Sequence, residues 1–597
     1  IPNPVATAKE EIYNNATTRV LGDVYAEWEF LKDLKLKVSL GMDIMYLKQN
    51  KYTPSNIYQS LGIASAKVGV NRSINWLNEN ILTWNKTFKD IHSLNILGGF
   101  TIQRNNVESV TGASSNFVND VMKYNNLGAG SIYDKPESSA TQWSLMSYLA
   151  RINYSLYDRY LFSVNGRVDG SSRFGGNNKY GFFPSGSVAW RISEEGFMEP
   201  VKAVINNLKL RTSYGFTGNT EIGVYESLAT LESNSWTIGN QLVSGFYPNR
   251  IPNPDLKWEK TGQFDIGFDL GLFNNRLRLT ADYYYKKTTD LLYNVAIPSA
   301  SGYDSMLKNI GSVQNKGYEL SIESDNLSGA FSWTTAFNIS FNRNKVLELG
   351  GETYKDVGTY DDHLKTSDIR RLIVGQPIGV FYGYRFDGIF QNEAECAQQT
   401  SSPSPIGVGL RRYKDLNGDG KIDATNDREI LGDANPKFFG GMTNTFAYRG
   451  FELNVFLQYS YGNKIFNYNA MELESPTGGQ NVYQDLVNRW TPTNPSNEYQ
   501  KATTNRNNIV SDRFIEDGSF LKLKTVSLSY SFPKLNWKHL GGLRLYVTGQ
   551  NLLTWTKYRG YDPEVSYRGA STLEAGEDFG GYPQARTFMF GIKLDIK

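Results

Sequence analysis

The stretch QFDIGFDLGLF, residues 263–273, decides the fold class because its side chains alternate in kind. The even-numbered positions from 264 to 272 are Phe, Ile, Phe, Leu and Leu, whereas the odd-numbered positions from 265 to 271 are Asp or Gly. A period of two residues places one set on each face of a β-strand. The stretch therefore predicts a strand with one apolar and one polar face.

The same alternation recurs in FELNVFLQYSY (451–461) and FMFGIKLDI (588–596). Strands in soluble proteins usually have about five or six residues, whereas these patterns run for roughly ten or more, the length that a tilted strand needs to cross a bilayer. Tyrosines also cluster at strand ends, as at positions 283–285, where an interface girdle would lie. We therefore predict an all-β transmembrane antiparallel β-barrel, and a large soluble β-sandwich or propeller is the alternative.

The connections between the predicted strands alternate between short and long. Short links such as YDR (157–159) and RG (449–450) take turns with long ones, of which 344–437 is the longest. Outer-membrane barrels have short periplasmic turns and long extracellular loops. About seventeen strands are predicted, at 17–31, 34–48, 72–86, 91–104, 141–156, 159–169, 182–192, 207–216, 261–272, 276–289, 314–325, 330–343, 438–448, 451–461, 519–532, 543–554 and 586–596.

The strand count predicts that the barrel is larger than this chain. Bacterial barrels normally have an even number of strands, so an odd number is expected upstream, and five would complete a 22-stranded barrel. Barrels of that width hold a plug in the lumen, and neither a plug nor a signal peptide is recognisable here. Residues 1–597 are thus expected to be the C-terminal portion of one barrel, with 344–437 as a long extracellular loop insertion.

Composition excludes several other classes of protein. The 62 basic and 60 acidic residues nearly cancel, so no nucleic-acid partner is expected. The single cysteine, Cys396, rules out a disulfide within the chain. No apolar run reaches the roughly 18 residues of a membrane-spanning helix.

Several linked motifs resemble one family, the SusC/RagA-type TonB-dependent transporters of Bacteroidetes. They include NPDLKWEKTGQFDIGFDLGLFNNRL (253–277), VGQPIGVFYGYRFDGIFQ (374–391) and DGSFLKLKTVSLSYSFP (517–533). Similar motifs follow in order along nearly the whole chain. The resemblance implies a 22-stranded outer-membrane barrel with an N-terminal plug, whose first part this chain lacks.

The resemblance also implies a function and partners. Such a barrel would import a large nutrient of the glycan or peptide class, with a SusD-like surface lipoprotein as its lid. TonB-ExbB-ExbD would drive the transport through the missing N-terminal region. The alternative is a barrel that no longer transports and serves as a scaffold in a larger outer-membrane complex or as a surface binding protein.

Catalysis is not expected from this sequence. Of the three histidines, His92 and His539 fall on the predicted periplasmic side and His363 in an outer loop. A hydrolytic triad needs a histidine within hydrogen-bond reach of its nucleophile, and these positions do not bring the two rims together around a shared serine. The motifs of a nucleophile elbow, a phosphate loop and a zinc protease are also absent.

The segment KDLNGDGKID, residues 414–423, copies the first nine positions of a calcium loop. A glycine for the sharp turn stands at 420, but the acid expected at position 12 is replaced by Asn426, and Asp427 follows one place later. We predict a structural Ca²⁺ in loop 415–427, and a turn without an ion is the alternative. The expected ligands are Asp415, Asn417, Asp419, the carbonyl of Lys421, Asp423 and, through a bulge, Asp427.

Aromatic residues in the long loops are the weaker candidates for substrate contact. Their rings could stack on sugars or pack against a partner protein, although ordinary loop packing is the simpler interpretation for any one of them. The candidates are Trp236, Tyr247, Tyr461, Tyr468 and Tyr483.

Overall fold

The structure is a computed structural model that describes residues 3–358, 366, 369–475, 481–504, 508–533, 540–564 and 566–596. The chain divides into two compact units. Unit 1 comprises Ile1–Ala189, Ser213–Gly262 and Asp290–Asn309, and unit 2 comprises Trp190–Thr212, Gln263–Thr289 and Ile310–Lys597.

Most of the described chain is β-strand. In the first half the strands are β1 (Ile12–Leu31), β2 (Leu34–Thr53), β3 (Ser65–Phe88), β4 (His92–Phe117), β5 (Gly130–Tyr133), β6 (Glu137–Leu156), β7 (Tyr160–Ser171), β8 (Tyr180–Arg191), β9 (Ile205–Asn219), β10 (Thr230–Ile238), β11 (Gln241–Arg250), β12 (Glu259–Leu272), β13 (Leu277–Thr289), β14 (Leu292–Ala296) and β15 (Ser305–Asn309). In the second half they are β16 (Ser312–Leu327), β17 (Phe331–Glu348), β18 (Tyr354–Val357), β19 (Arg370–Ile373), β20 (Val380–Tyr384), β21 (Phe386–Ile389), β22 (Arg411–Tyr413), β23 (Arg428–Gly432), β24 (Phe438–Tyr448), β25 (Phe451–Tyr461), β26 (Lys464–Asn467), β27 (Ile515–Asp517), β28 (Phe520–Ser531), β29 (Leu540–Thr556), β30 (Glu577–Asp578) and β31 (Thr587–Ile596).

Helices are short and few in the part of the chain that the structure describes. The α-helices are α1 (Pro4–Glu10), α2 (Glu393–Cys396) and α3 (Tyr468–Leu473). None of the described helices has the length and apolar character needed to cross a membrane. Single 3₁₀ turns lie at Tyr58–Ser60, Lys123–Asn125, Leu127–Ala129, Ile192–Glu194, Gly196–Val201, Ser299–Ser301, Gln484–Asn488 and Asp512–Phe514.

Unit 1 contains an antiparallel ladder in which neighbours in sequence are neighbours in space. Strand β2 pairs with β1 and β3, β4 pairs with β3 and β6, and β6 pairs with β7. The short strand β5 also lies beside β4. Two separate hairpins, β10–β11 and β14–β15, interrupt the later part of the unit.

The buried apolar clusters of unit 1 lie near strand ends and in the adjoining loops. One cluster consists of Phe174, Phe183, Leu256 and Trp258, all buried. The indole N–H of Trp258 donates to the backbone carbonyl of Lys179 at 3.0 Å, so the ring is fixed by a polar contact as well as by packing. A second cluster is formed by Tyr52, Ala64 and Ala66.

Unit 2 contains the longer antiparallel ladder. Strand pairs follow in the order β13–β16–β17–β24–β25–β28–β29–β31. The register of β24 with β25 is regular throughout, from Phe438 opposite Tyr461 to Tyr448 opposite Phe451. The β25–β28 and β28–β29 pairs each contain a register shift between Leu523 and Thr525 of β28.

The short links are tight turns with left-handed backbone. Arg449 and Gly450 join β24 to β25 with φ angles of 47° and 91°. Tyr157 and Asp158 have φ angles of 55° and 52° in the link between β6 and β7. Two consecutive positive φ angles are typical of the hairpin turn whose twist matches that of its strands.

Each of the seventeen strands predicted from the alternation has a counterpart in the structure. Some are longer than predicted: the strand expected at 72–86 is β3 and begins at Ser65, and the strand expected at 91–104 is β4 and ends at Phe117. The reason is that pairing continues past the apolar stretch, since β2 and β3 stay in register as far as Thr53 opposite Ser65.

Candidate functional site

Three loop segments of unit 2 fold together into one structure, which we call the loop module and define as the described residues within 349–437, 462–519 and 557–586. Its centre is a three-stranded sheet with one strand from the third segment and two from the second. Strand β26 pairs with β27 antiparallel and with β30 parallel. A four-stranded sheet, β18–β19–β20–β23, comes from the first segment.

The loop module has a hydrophobic core of its own. The first and second segments contribute its buried side chains, and Phe579 of the third segment packs against them. This shared burial makes the three segments one folded body, because apolar surface removed from water is the main stabilising contribution. The buried members are Ile369, Phe381, Phe466, Tyr468, Ala470, Met471, Val510 and Phe514.

A buried ion pair joins the first segment to the third. The Arg370 Nε lies 2.9 Å from Glu577 Oε1, and both side chains are 1% exposed. Arg370 also donates to the backbone carbonyls of Gly379 and Ala575 and lies over the ring of Phe381. Burial raises the pKa of the Glu577 carboxyl above its ordinary range, although the nearby Arg370 and Arg568 act in the opposite direction.

Glu474 joins all three segments through arginines. Its carboxylate lies 2.7 Å from Arg513 Nε and 3.2 Å from Arg559 Nη1, and its backbone carbonyl accepts from Arg411 at 3.3 Å. Because Glu474 is only 1% exposed, its charge depends on these partners. Arg513 in turn lies over the rings of Phe386 and Tyr499.

The third segment is also attached to a strand of the ladder. Lys522 of β28 is buried, and its Nζ lies 2.7 Å from Asp562 Oδ1 and 2.5 Å from Glu564 Oε2. Gln458 of β25 donates to Glu564 at 3.0 Å. Burial favours a higher pKa for Asp562, but the Lys522 ammonium and backbone N–H donors outweigh it and hold that pKa below its ordinary value.

The loop that resembles a calcium site is a tight curl around Asp415. The two carboxylate oxygens of Asp415 accept the backbone N–H groups of Gly418 at 2.6 Å and Gly420 at 2.7 Å. Both glycines have positive φ, 77° and 78°, which is the backbone that a turn glycine supplies. These amides lower the pKa of Asp415.

Hydrogen bonds from backbone N–H groups to side-chain oxygens also hold the other predicted ligands. Asp419 Oδ1 accepts from the N–H of Lys421, and Asp423 Oδ1 accepts from Thr425 and Asn426. Asn417 accepts from the N–H of Asp419 and donates to its carboxylate. Among the described residues, no three His, Cys, Asp or Glu side chains come together in a metal-binding group.

Asp427 closes the base of this loop. Its side chain is buried, and its two oxygens accept the backbone N–H groups of Leu416 and Asp423, each at 2.8 Å. The shifted aspartate therefore joins the two ends of the loop, a role that the sequence pattern did not predict.

The aromatic candidates occupy three different environments. Tyr468 is 3% exposed and packs against Phe466 in the core of the loop module, with Tyr483 at the edge of the same core. Tyr461 is half-exposed and stacks on Phe438, with ring centroids 5.0 Å apart. Tyr468 thus stabilises the module and offers no ring face to solvent.

Trp236 and Tyr247 meet on one face of the β10–β11 hairpin in unit 1. Their rings are edge to face with centroids 6.3 Å apart, and the Tyr247 hydroxyl donates to Glu232 at 3.0 Å. Both rings are more than one-third exposed. The rings of Trp236 and Tyr247, like that of Tyr461, therefore remain partly accessible to solvent.

Neither histidine nor cysteine chemistry forms a reactive site in the described part of the chain. The ring of His92 lies 2.7 Å from the Tyr154 hydroxyl in the β4–β6 pair, and His363 and His539 lie outside the described residues. Cys396 is buried in α2, and burial raises the pKa of its thiol. A raised pKa disfavours the nucleophilic thiolate.

One known family model matches well over half of the chain. The family model described as "TonB dependent receptor-like, beta-barrel" matches residues 5–394. The chain belongs to this family. TonB-dependent receptors are outer-membrane β-barrels, so the predictions of the family, the barrel fold and the cell location are confirmed.

Relatives of this receptor cover its whole length. It is 38% identical over 604 residues to TonB-dependent receptor P3 of Formosa agariphila. That match covers 100% of this chain and 60% of the relative. It is 30% identical over 597 residues to TonB-dependent receptor SusC of Bacteroides thetaiotaomicron, covering 96% of the chain and 55% of the relative. The receptor chain thus spans somewhat more than half the length of these relatives.

A solved structure shows the same fold. The RagAB peptide transporter superposes with a TM-score of 0.85 and 26% sequence identity, over 98% of this chain and 63% of that chain. These relatives are receptors or transporters, and no enzyme family is indicated for this receptor.

The buried ion pairs of the loop module were not found from the sequence. Arg370, Glu474 and Glu577 are ordinary charged residues in loops, and no spacing marks them as buried partners. Two lysines of β28, Lys522 and Lys524, alternate with leucines, and they were the available signal for the attachment of the third segment.

Proposed function

We propose that the receptor imports a large nutrient of the glycan or peptide class across the outer membrane, by TonB-dependent active transport. The observation that carries the proposal is similarity over essentially the whole chain to receptors named as TonB-dependent, among them SusC. The peptide transporter RagAB adds support through its equally extensive likeness. Neither relative fixes the substrate of this receptor.

A SusD-like surface lipoprotein is the partner that we propose, and it would cap the extracellular loops, including 344–437. The loop module supports this because its core and buried ion pairs give it a defined surface. Preorganised surfaces lose less entropy when they bind. Coupling to TonB-ExbB-ExbD would use the part of the relatives' length that this chain does not span.

Uptake by the source bacterium tests the proposal. A strain that lacks the receptor is compared with the same strain carrying the wild-type gene, on a panel of single glycans and peptide mixtures as carbon source. We expect growth on at least one nutrient to require both the receptor and TonB, and a lipoprotein to co-purify with the receptor. Growth that is independent of TonB, with no co-purifying lipoprotein, would favour the non-transporting scaffold or surface binding protein.

We also propose that loop 415–427 binds Ca²⁺ as a structural ion. Support comes from its oxygen-rich composition and from the two left-handed glycines that curl it around Asp415. Each carboxylate oxygen can accept more than one bond, so the amide contacts leave room for an ion. Since no three acidic groups converge among the described residues, Asp419 or Asp423 would have to rotate inward.

Calorimetry with the purified full-length receptor tests this site. Calcium should bind the wild type and bind at least tenfold more weakly to Asp415→Asn, with Asp387→Asn as the control in the same segment. Equal calcium affinity in the wild type and Asp415→Asn would show that the loop is a turn without an ion. Limited proteolysis with and without a chelator should show cleavage within 415–427 first.

A further inference from the structure

A cavity of about 560 Å³ lies on the outer face of the β18–β19–β20–β23 sheet in the loop module. Because side chains alternate along each strand, neighbouring residues lie on opposite faces of this sheet. Arg370 and Phe381 point into the core, whereas their neighbours Arg371 and Tyr382 line the cavity. The volume is within the usual range for small-molecule sites, about 300–1,000 Å³.

The cavity wall is a stack of alternating rings and guanidinium groups. The Arg371 guanidinium lies 4.0 Å from the ring centroid of Tyr354 and 3.9 Å from that of Tyr382. Arg428 lies on Tyr382 at 5.0 Å. Planar guanidinium groups stack well on aromatic faces, so the wall is held in place before any ligand binds.

Asp356 fixes the orientation of Arg371 within this stack. Its two oxygens accept from Arg371 Nε at 2.7 Å and from Nη2 at 3.0 Å. That bidentate bond uses one edge of the guanidinium. Arg371 Nη1 makes no hydrogen bond to any residue that the structure describes, so its two N–H groups remain for a ligand. The cavity is also lined by the hydroxyl-bearing residues Tyr382 and Thr425.

The balance of charge and polarity indicates the class of ligand. The Arg371 guanidinium stays charged and its Nη1 keeps two N–H donors directed away from Asp356, an arrangement that suits the oxygens of a carboxylate or sulfate. Ile373 and Ala424 are its apolar members, so an apolar peptide side chain would bury little surface, whereas hydroxyl and N–H groups suit a polyhydroxylated ligand. We propose that this cavity is a binding subsite for an acidic saccharide, whose carboxylate or sulfate group contacts Arg371 Nη1.

This inference rests on the proposed import function and narrows its substrate class. Because Thr425 belongs to loop 415–427, the same wall includes part of the calcium-like loop. Binding by purified protein is measured without uptake, so the subsite can fail while TonB-dependent import stands. Import can likewise fail while the subsite binds.

Calorimetry with the full-length receptor in detergent tests the subsite. The probes are a trigalacturonate, which carries carboxylates, a sulfated chondroitin disaccharide, neutral maltotriose and an acidic tripeptide. The variants are Arg371→Gln and Tyr354→Ala. Their matched controls are Arg412→Gln, in the same segment, and Tyr582→Ala, an exposed tyrosine of the third segment.

We expect one or both acidic saccharides to bind the wild type. Both cavity variants should bind them at least tenfold more weakly, whereas the control variants should bind them with wild-type affinity. The two probes distinguish carboxylate from sulfate recognition. If Arg371→Gln fails to fold, as judged by limited proteolysis, the exposed Tyr354→Ala decides the result. Binding of maltotriose or the tripeptide in preference, equal affinity across cavity and control variants, or no binding of either acidic probe would overturn the proposal.

Discussion

At the scale of single residues, the Arg370–Glu577 pair has the largest expected effect on stability. Glu577→Ala would leave Arg370 buried without its carboxylate, and losing one partner of a buried pair typically costs about 3–5 kcal/mol. We expect faster hydrogen exchange in β26, which pairs with β30 at this point. Mass spectrometry of peptides that cover Lys464–Asn467 measures it.

Two further variants make this prediction specific. The double variant Arg370→Met/Glu577→Leu should recover part of the lost protection, because apolar residues of similar size can replace a buried pair. Glu199→Ala removes a carboxylate whose pair with Lys202 is exposed, and it should change stability by less than about 1 kcal/mol. Equal protection in wild type and Glu577→Ala would mean that the pair does not hold the segments together.

At the scale of elements, the two-residue turn between β24 and β25 depends on Gly450. Its φ is 91°, and an added Cβ would lie 2.7 Å from the backbone carbonyl of Ser531. Gly450→Val is therefore expected to lower the fraction of folded receptor in the outer membrane, as shown by heat-modifiable gel mobility. Arg449→Asn is the matched control, since asparagine tolerates the φ of 47° at that position.

The attachment of the third loop segment to β28 should weaken in acid. The folded-state pKa of Asp562 is lowered. Its contact with Lys522 therefore contributes its full stability above the unfolded pKa of about 3.9. That stability is lost as pH falls through the folded-state pKa. Hydrogen-exchange protection of residues 557–564, corrected for intrinsic rates, should therefore drop below about pH 4. Asp562→Asn should start less protected and lose that acid dependence. A similar acid-induced drop in this variant would assign the effect to another group.

The long strands could be predicted from the sequence, whereas the short strands of the loop module could not. Long strands were predictable because one apolar and one polar face repeat over many residues, as in β12 and β25. Strands such as β26 and β30 have four and two residues, too few for a period to appear. Loop 415–427 was recognisable by composition, whereas the Arg371 stack brings together four short strands whose pairing no local pattern encodes.

At the scale of the whole molecule, the ladders of an outer-membrane barrel must keep an apolar surface toward lipid. Leu528 lies in the second half of β28, is 43% exposed, and pairs with Leu453 and Val547 on either side. Leu528→Arg is expected to destabilise the folded barrel by an amount between the about 0–1 kcal/mol typical of the interface and the about 2–4 kcal/mol typical of the bilayer midplane. Urea titration in lipid vesicles measures the change, with Leu528→Ala as the control for lost packing. Equal effects of Arg and Ala would place this position away from lipid.

The parallel pairing of β26 with β30 sets a time order for biogenesis. The edge of β26 that β30 covers has no partner until Glu577 has been synthesised, so it stays unpaired while most of the remaining polypeptide is translocated. Such long-range closure is slow, because a large loop must be ordered before contacts offset its entropy. Periplasmic chaperones would have to shield this segment meanwhile. In a pulse-labelled culture, residues 464–475 should acquire protease resistance after the barrel strands do, and simultaneous protection would contradict this order.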